Sequence, residues 1–231
     1  MIQLSKRLQC IADYVKPGSV VADIGTDHAY LPVYLVQKGL CPRAVAADIN
    51  RGPLDAARSN VSQHQLITQI DLRLGNGLQV VKPGEVDTIV IAGMGGGTIR
   101  DILQEFPAVV SGASRLILQP MADDRDLRHY LIENGWRLVD EELLLEDGRL
   151  YLVLVAEQGR EEVTEPILLE IGPRLLEKNH PLLGQYLKRL KQKYHRVLEG
   201  LAKSNQSAAQ EKAERIKEKL IQLESIERKV N

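Results

Sequence analysis

Apolar residues in the first two thirds of the chain alternate between two periods. Leu4, Leu8, Ile11 and Val15 recur every three to four residues, the period of an amphipathic helix, and Lys16-Pro17-Gly18-Ser19 reads as the turn that ends it. Residues 20–24 then form an apolar run broken only by Asp23, which reads as a buried strand. The same reading places helices at 30–38, 53–64, near 95–103 and at 123–134. It places strands at 44–48, 70–74, 87–92 and 115–119. Pro53 suits the first turn of its helix, where no N–H is needed. Strands and helices alternating at this spacing predict a mainly parallel sheet with ligands at the carboxyl ends of its strands.

The pattern changes after residue 135. Apolar runs at 136–145 and 150–156 flank Glu146-Asp147-Gly148-Arg149, and the Asp-Gly step predicts an antiparallel hairpin. This makes seven strands in an α/β, Rossmann-like arrangement. A closing hairpin fits the sheet of class I methyltransferases better than that of dehydrogenases. A second unit is expected from residue 161, dividing the chain into 1–160 and 161–231. Its first helix spans 166–178 with a break at Gly172-Pro173, and Asn179-His180-Pro181 restarts the helix. Leu187, Leu190, Tyr194, Val197 and Leu201 form one stripe; Ala213, Ile216, Leu220, Leu223 and Val230 form another. A polar break at 203–207 separates them, with Ser207 and Gln210 spaced as a capping box. Two such stripes predict an antiparallel helical hairpin, a short coiled coil, with a dimerising rod as the competing geometry.

Charge sharpens this division. Among the 231 residues the net charge is −1, but residues 1–159 hold 15 Lys/Arg against 20 Asp/Glu (net −5) and residues 160–231 hold 15 against 11 (net +4). A basic tail on an acidic body suggests a polyanionic partner, although a solvated helical surface gives the same count. Cys10 and Cys41 have neither C-x-x-C spacing nor neighbouring ligands, so a disulfide framework and a metal site are not expected. No signal-peptide core or membrane span is readable, and the expected setting is a cytoplasmic monomer.

The candidate chemistry gathers at strand ends. Asp23-Ile-Gly-Thr-Asp-His-Ala-Tyr-Leu-Pro32 lacks G-x-G-x-x-G spacing, because Thr26, Asp27 and His28 stand where further glycines would be. A carboxylate there suits an amino-bearing ligand better than a pyrophosphate, which points from NAD towards S-adenosylmethionine. Asp23 fixes the loop or reaches the ligand's amino-acid end, and Gly25 permits close backbone approach. Asp48 is placed for ribose hydroxyls or for capping a helix. Asn76 is placed for adenine edges or as an ordinary turn residue. Gly93 to Gly97 leaves an open floor or a flexible turn.

Asp23 to Pro32, Gly75-Asn-Gly-Leu78 and Ile91-Ala-Gly-Met-Gly-Gly96, with a helical hairpin behind them, resemble the TrmK family. These are bacterial tRNA (adenine-N1)-methyltransferases acting on adenine 22 at the base of the D-arm. The resemblance covers essentially the whole chain. It implies S-adenosylmethionine held by Asp23, Gly25, Thr26, Asp27 and His28, with Asp48 and Ile49 at the ribose. It further implies Asn76 and Gly77 at the adenine, and Ala92, Gly93 and Met94 beside the sulfonium.

Enzymes that methylate an exocyclic amine usually carry side-chain acceptors where this chain has Gly93-Met94-Gly95-Gly96. Adenine N1 already offers an in-plane lone pair and needs no general base. Positioning would then supply most of the rate, and a carboxylate would stabilise the cationic product base. Asp27 is the catalytic candidate, or a pure ligand of the cofactor's amino group, with His28 and Tyr30 as base-positioning or stacking groups. Lys188, Arg189, Lys191, Lys193 and Arg196, joined by Lys6, Arg7 and Arg51, are candidates for the tRNA backbone. Methylation of another RNA position, or a non-enzymatic nucleotide-binding interaction protein, would leave the same strand-end signature.

Overall fold

The computed structural model of the chain describes residues 2–203 and 206–230. Its contacts divide it into two compact units, Met1–Glu162 and Val163–Asn231. In the first, α1 (Lys6–Asp13) leads into β1 (Val21–Ile24), α2 (Tyr30–Gln37), β2 (Ala44–Asp48), α3 (Arg51–Gln63) and β3 (Ile70–Leu74). Then come a 3-10 turn (Gly77–Val80), β4 (Thr88–Met94), α4 (Gly96–Glu105), α5 (Pro107–Gly112), β5 (Arg115–Pro120), α6 (Asp124–Glu133), β6 (Trp136–Glu146) and β7 (Arg149–Gln158).

The seven strands form one sheet in the order β3-β2-β1-β4-β5-β7-β6. The first five are parallel, and β7 and β6 close the sheet antiparallel. Every residue of β1 and β2 is buried, as a parallel sheet covered on both faces requires. One face packs Ile11 and Val15 of the N-terminal segment with Leu31 and Leu35 of α2 over Val21, Val90 and Ile117. The strand order switches between β1 and β4, with β2 and β3 added on one side and β5 on the other, so the loops leaving these two parallel strands diverge and open a crevice.

Several boundaries differ from the expected ones. Ser5 caps α1, its hydroxyl accepting from the Leu8 N–H, so the helix starts inside the apolar stripe. Helix α3 begins at Arg51, two residues before Pro53, whose missing N–H falls among the first-turn groups that have no intrahelical partner. Strand β4 runs on to Met94, with an irregularity in its pairing to β5 at Gly93. The hairpin turn has Asp147 and Gly148 at φ 49° and 74°, both left-handed, which is the two-residue geometry that matches strand twist.

In the second unit, α7 (Pro166–Ile171) and α8 (Pro173–Glu177) flank Gly172 at φ 98°, followed by α9 (Leu183–Leu201) and α10 (Ser207–Val230). Helix α9 starts two residues after Pro181, where the Leu182 N–H donates to His180 Nδ1. Gln206, not Ser207, accepts the first backbone bonds of α10. Lys191 pairs with Glu227, while Lys219 lies over the Tyr194 ring at 5.6 Å. Partner numbers rise as numbers along α9 fall, so the two helices run antiparallel. Leu187, Leu190 and Tyr194 are buried, as are Ile216, Leu220 and Leu223. Ser204 and Asn205 of the expected break, and the side chain of Val230, lie outside the described residues.

Candidate active site

The loop leaving β1 is tied down from both sides. The Thr26 hydroxyl donates to the Asp23 carboxylate at 2.7 Å, and both side chains are buried. The N–H groups of Gly25 and Thr26 both donate to the Ala47 carbonyl of β2, at 2.8 and 2.9 Å. Gly25, Asp27 and Ala29 stand at φ 75°, 54° and 54°. Such a density of left-handed residues, one of them an alanine, is backbone strain held in place by its surroundings. Burial raises the Asp23 carboxyl from 3.8 to about 6, with Asp48 adding to the rise and the Thr26 hydroxyl and the Arg7 charge opposing it.

Asp48, the last residue of β2, staples two loops together. One oxygen accepts from the Asp27 N–H at 3.3 Å and the other from the Asn50 N–H at 2.9 Å. Asn50 caps α3 without a side-chain bond, so Asp48 holds the turn into that helix from outside it. Each carboxylate oxygen retains a lone pair for a ligand hydroxyl. After β3, Gly75 donates to the Asp48 carbonyl at 3.0 Å, Asn76 is exposed, and Gly77 opens the 3-10 turn at φ 53°.

The floor is built by β4 and β5. Gly93, at φ 78°, donates its N–H to Gln119 Oε1 at 3.1 Å. The same oxygen accepts from Arg7 Nη1 at 3.0 Å, while Gln119 Nε2 donates to the Pro120 carbonyl at 2.9 Å. Gln119 is fully buried. A Cβ on Gly25 would stand 2.4 Å from the Met94 Cε, so the space beside that glycine holds the Met94 methyl. A Cβ on Gly96 would come within 2.6 Å of the Ala122 carbonyl, which fixes glycine at the start of α4.

Asp23, Gly25, Thr26, Asp27, His28, Asp48, Ile49, Asn76, Gly77, Ala92, Gly93 and Met94 thus sit at or just beyond the carboxyl ends of β1 to β4. Asp27 is exposed, with Oδ1 3.6 Å from His28 Nε2, and the His28 ring stacks on Tyr30 at 5.2 Å. Tyr30, Ile49, Leu74 and Met121 are exposed apolar side chains near the ends of β1, β2, β3 and β5. Two buried carboxylates and four exposed apolar side chains thus stand near the ends of neighbouring strands. Gln119 and Arg7 belong to this site, although the sequence marked Gln119 not at all and Arg7 only as a tRNA contact. Their role depends on which strands become neighbours.

The basic candidates are dispersed. Lys6 and Arg51 are exposed, and so are Lys188, Arg189, Lys193 and Arg196 on α9, whereas Lys191 is half-buried against Glu227. A separate cavity of about 550 Å³ lies beside β2 and β3, near Arg43, Arg58 and Thr68, and includes none of the candidate site residues. Among the described residues no group of His, Cys, Asp or Glu is arranged to hold a metal ion, and no helix is long and apolar enough to cross a membrane.

Residues 4–154 match the family model of a methyltransferase domain. The chain is 43% identical over 195 residues to the tRNA (adenine(22)-N(1))-methyltransferase of Bacillus subtilis (strain 168), covering 82% of each chain. The crystal structure of the B. subtilis tRNA methyltransferase TrmK superposes with a TM-score of 0.90 at 34% identity, covering 98% of this chain and 99% of that one. Sp1610 of Streptococcus pneumoniae, solved in complex with S-adenosyl-L-methionine, gives a TM-score of 0.83 at 36% identity over 94% of this chain and all of that one. A seven-stranded sheet, a glycine floor and full-length similarity lead to one assignment: the chain belongs to the methyltransferase-domain proteins and, within them, to the TrmK family of tRNA (adenine(22)-N(1))-methyltransferases.

Proposed function

We propose that this chain methylates N1 of adenine 22 in tRNA with S-adenosylmethionine as donor, using the crevice at the ends of β1 to β4. The observation that carries the reading is the pairing of buried Asp23 and Asp48, at adjacent strand ends, with a floor of Gly93 to Gly97 that offers no side-chain acceptor. When bound, S-adenosylmethionine supplies a methyl carbon on a positively charged sulfur. Asp23 holds the donor's ammonium, Asp48 its ribose hydroxyls, and Asn76 and Gly77 meet its adenine beside Ile49. Ala92, Gly93 and Met94 line the path to the target base.

No residue of the floor needs to remove a proton, because the N1 lone pair is free at neutral pH. The His28–Tyr30 stack presents an aromatic surface on which the target base is held. Asp27 carries its charge at the mouth, where it stabilises the cation that forms on the base. This chemistry needs no Lewis acid, and we take the protein to work as a metal-independent cytoplasmic monomer. Lys188, Lys193 and Arg196, with Lys6 and Arg51, meet tRNA phosphates.

Labelled S-adenosylmethionine and unmodified tRNA test the reading, with adenine 22 kept or replaced by guanine. Transfer should be lost on replacement; transfer that survives it overturns the position. In the same assay Asp27→Asn keeps a residue that tolerates the left-handed backbone. Turnover should fall roughly ten- to hundredfold with little change in donor affinity. Normal turnover would remove Asp27 from catalysis.

A further inference from the structure

The residues that precede α1 are held by a side-chain relay away from the crevice. The Ile2 N–H donates at 3.2 Å to Gln37 Oε1, on the last residue of α2. Gln37 Nε2 in turn lies 3.1 Å from Nδ1 of His64, at the carboxyl end of α3. All three residues are half-buried. The Ile2 side chain packs on the buried cluster of Ala29, Val33, Ala57 and Val61, which includes residues of both helices. Ala29 stands between His28 and Tyr30, so the seat of this arm adjoins the loop that presents their stacked rings.

Donor and acceptor counts fix every proton in the relay. A main-chain N–H only donates, so Gln37 must turn its oxygen towards Ile2. Its amide nitrogen then faces His64 and can only donate. Nδ1 must therefore offer a lone pair, with the ring proton on Nε2. A protonated imidazole has no lone pair, because both its nitrogens donate. Nδ1–H and the Gln37 NH2 would then meet donor to donor. Turning the amide over satisfies His64 but aims the NH2 at the Ile2 N–H. Gln37 can serve the arm or a charged His64, never both.

The surrounding charges leave that choice to the ring. Lys38 follows Gln37, and its ammonium lies over the Tyr34 ring at 5.7 Å. On α3, Arg58 pairs with Asp55 at 2.8 Å. Among the described residues no carboxylate pairs with the His64 ring.

We propose that Ile2, Gln37 and His64 form a pH-sensitive latch: neutral His64 seats the arm on α2 and α3, and charged His64 unseats it. The arm runs directly into Ser5, the cap of α1, so the latch sets how that helix is tethered.

Nuclear magnetic resonance of the full chain tests the latch through solvent protection of the Ile2 amide and contacts of its δ-methyl with the cluster. Between about pH 8 and pH 5, the range in which an imidazole gains its charge, protection should fall roughly ten- to hundredfold. That is the scale of a hydrogen bond lost with its donor left unpaired. The methyl contacts should fade with the same midpoint as the His64 ring signals. His64→Asn offers a side-chain oxygen in place of Nδ1 and does not titrate, so both readouts should become independent of pH. Gln37→Glu supplies a carboxylate that accepts from Ile2 and from charged His64 together. In that variant the arm should seat more firmly at the acid end of the range. Wild-type protection that survives protonation of the ring would overturn the latch, and so would a Gln37→Glu chain that loses protection as the wild type does. A fall with unchanged midpoint in His64→Asn would also overturn it, by assigning the change to another group such as Asp23, whose carboxyl is raised to about 6.

Discussion

Asp23 shows what a buried carboxylate costs the protein that carries it. Burial, with help from Asp48, lifts its carboxyl from 3.8 to about 6. The folded protein therefore holds this proton more tightly than the unfolded chain. The associated stability is fully present below about pH 4 and is lost as pH rises through about 6. By neutrality the loss amounts to roughly 3 kcal/mol. Asp23→Asn retains an acceptor for the Thr26 hydroxyl and removes the titration. Denaturant unfolding of the ligand-free protein should find the variant more stable at pH 7, by up to that amount, and the advantage should vanish near pH 4. Parallel pH curves would show that Asp23 does not carry this cost. In the proposed donor-binding mode the ammonium facing Asp23 offsets that cost, so the variant should gain stability while losing donor affinity.

At the scale of elements, helix α6 and strand β6 are joined by a pair no spacing rule reveals. Arg128 Nε and Glu141 Oε1 lie 2.6 Å apart, and both side chains are fully buried. Removing one partner leaves a buried charge, which costs about 3–5 kcal/mol, whereas replacing both with apolar groups of similar size costs far less. Glu141→Leu should therefore lower the denaturant midpoint sharply, and adding Arg128→Met should restore most of it. An unchanged midpoint for the single variant would mean the site admits water. In sequence these residues look like surface charges, because burial at the β6 edge depends on α6 folding back over it. By contrast, β2 and β3 are legible to the residue, β2 as a short apolar run ending in Asp48 and β3 as the alternation Ile70-Asp-Leu-Arg-Leu74, with turn residues bounding each. Strand β4 extends two residues past the expected end at Ala92: Gly93 looks like a turn, yet pairing with β5 resumes at Met94. Asp48 was legible as a site carboxylate, but its bonds to Asp27 and Asn50 depend on how two loops meet.

Across the whole molecule, charge and apolar character separate along the chain. The acidic first unit holds the donor crevice, where an anionic surface suits a cationic sulfonium and repels stray phosphate. The second unit supplies exposed cations on α9, on the side away from Leu187, Leu190 and Tyr194. Not all of them are equivalent. Lys191 pairs with Glu227 and ties α9 to α10, so its loss should loosen the helix pair and leave the salt dependence of tRNA affinity unchanged. Lys188, Lys193 and Arg196 are the residues whose substitution should act through phosphate. Each phosphate contact releases about one counterion, so the triple alanine variant should flatten the dependence of tRNA affinity on salt by up to about three units of log–log slope. Donor affinity should stay unchanged, because these residues lie outside the first unit. Filter binding of tRNA across a salt series measures the slope. A wild-type slope in the triple variant would mean that α9 meets no RNA and that its charges only keep the helix pair solvated.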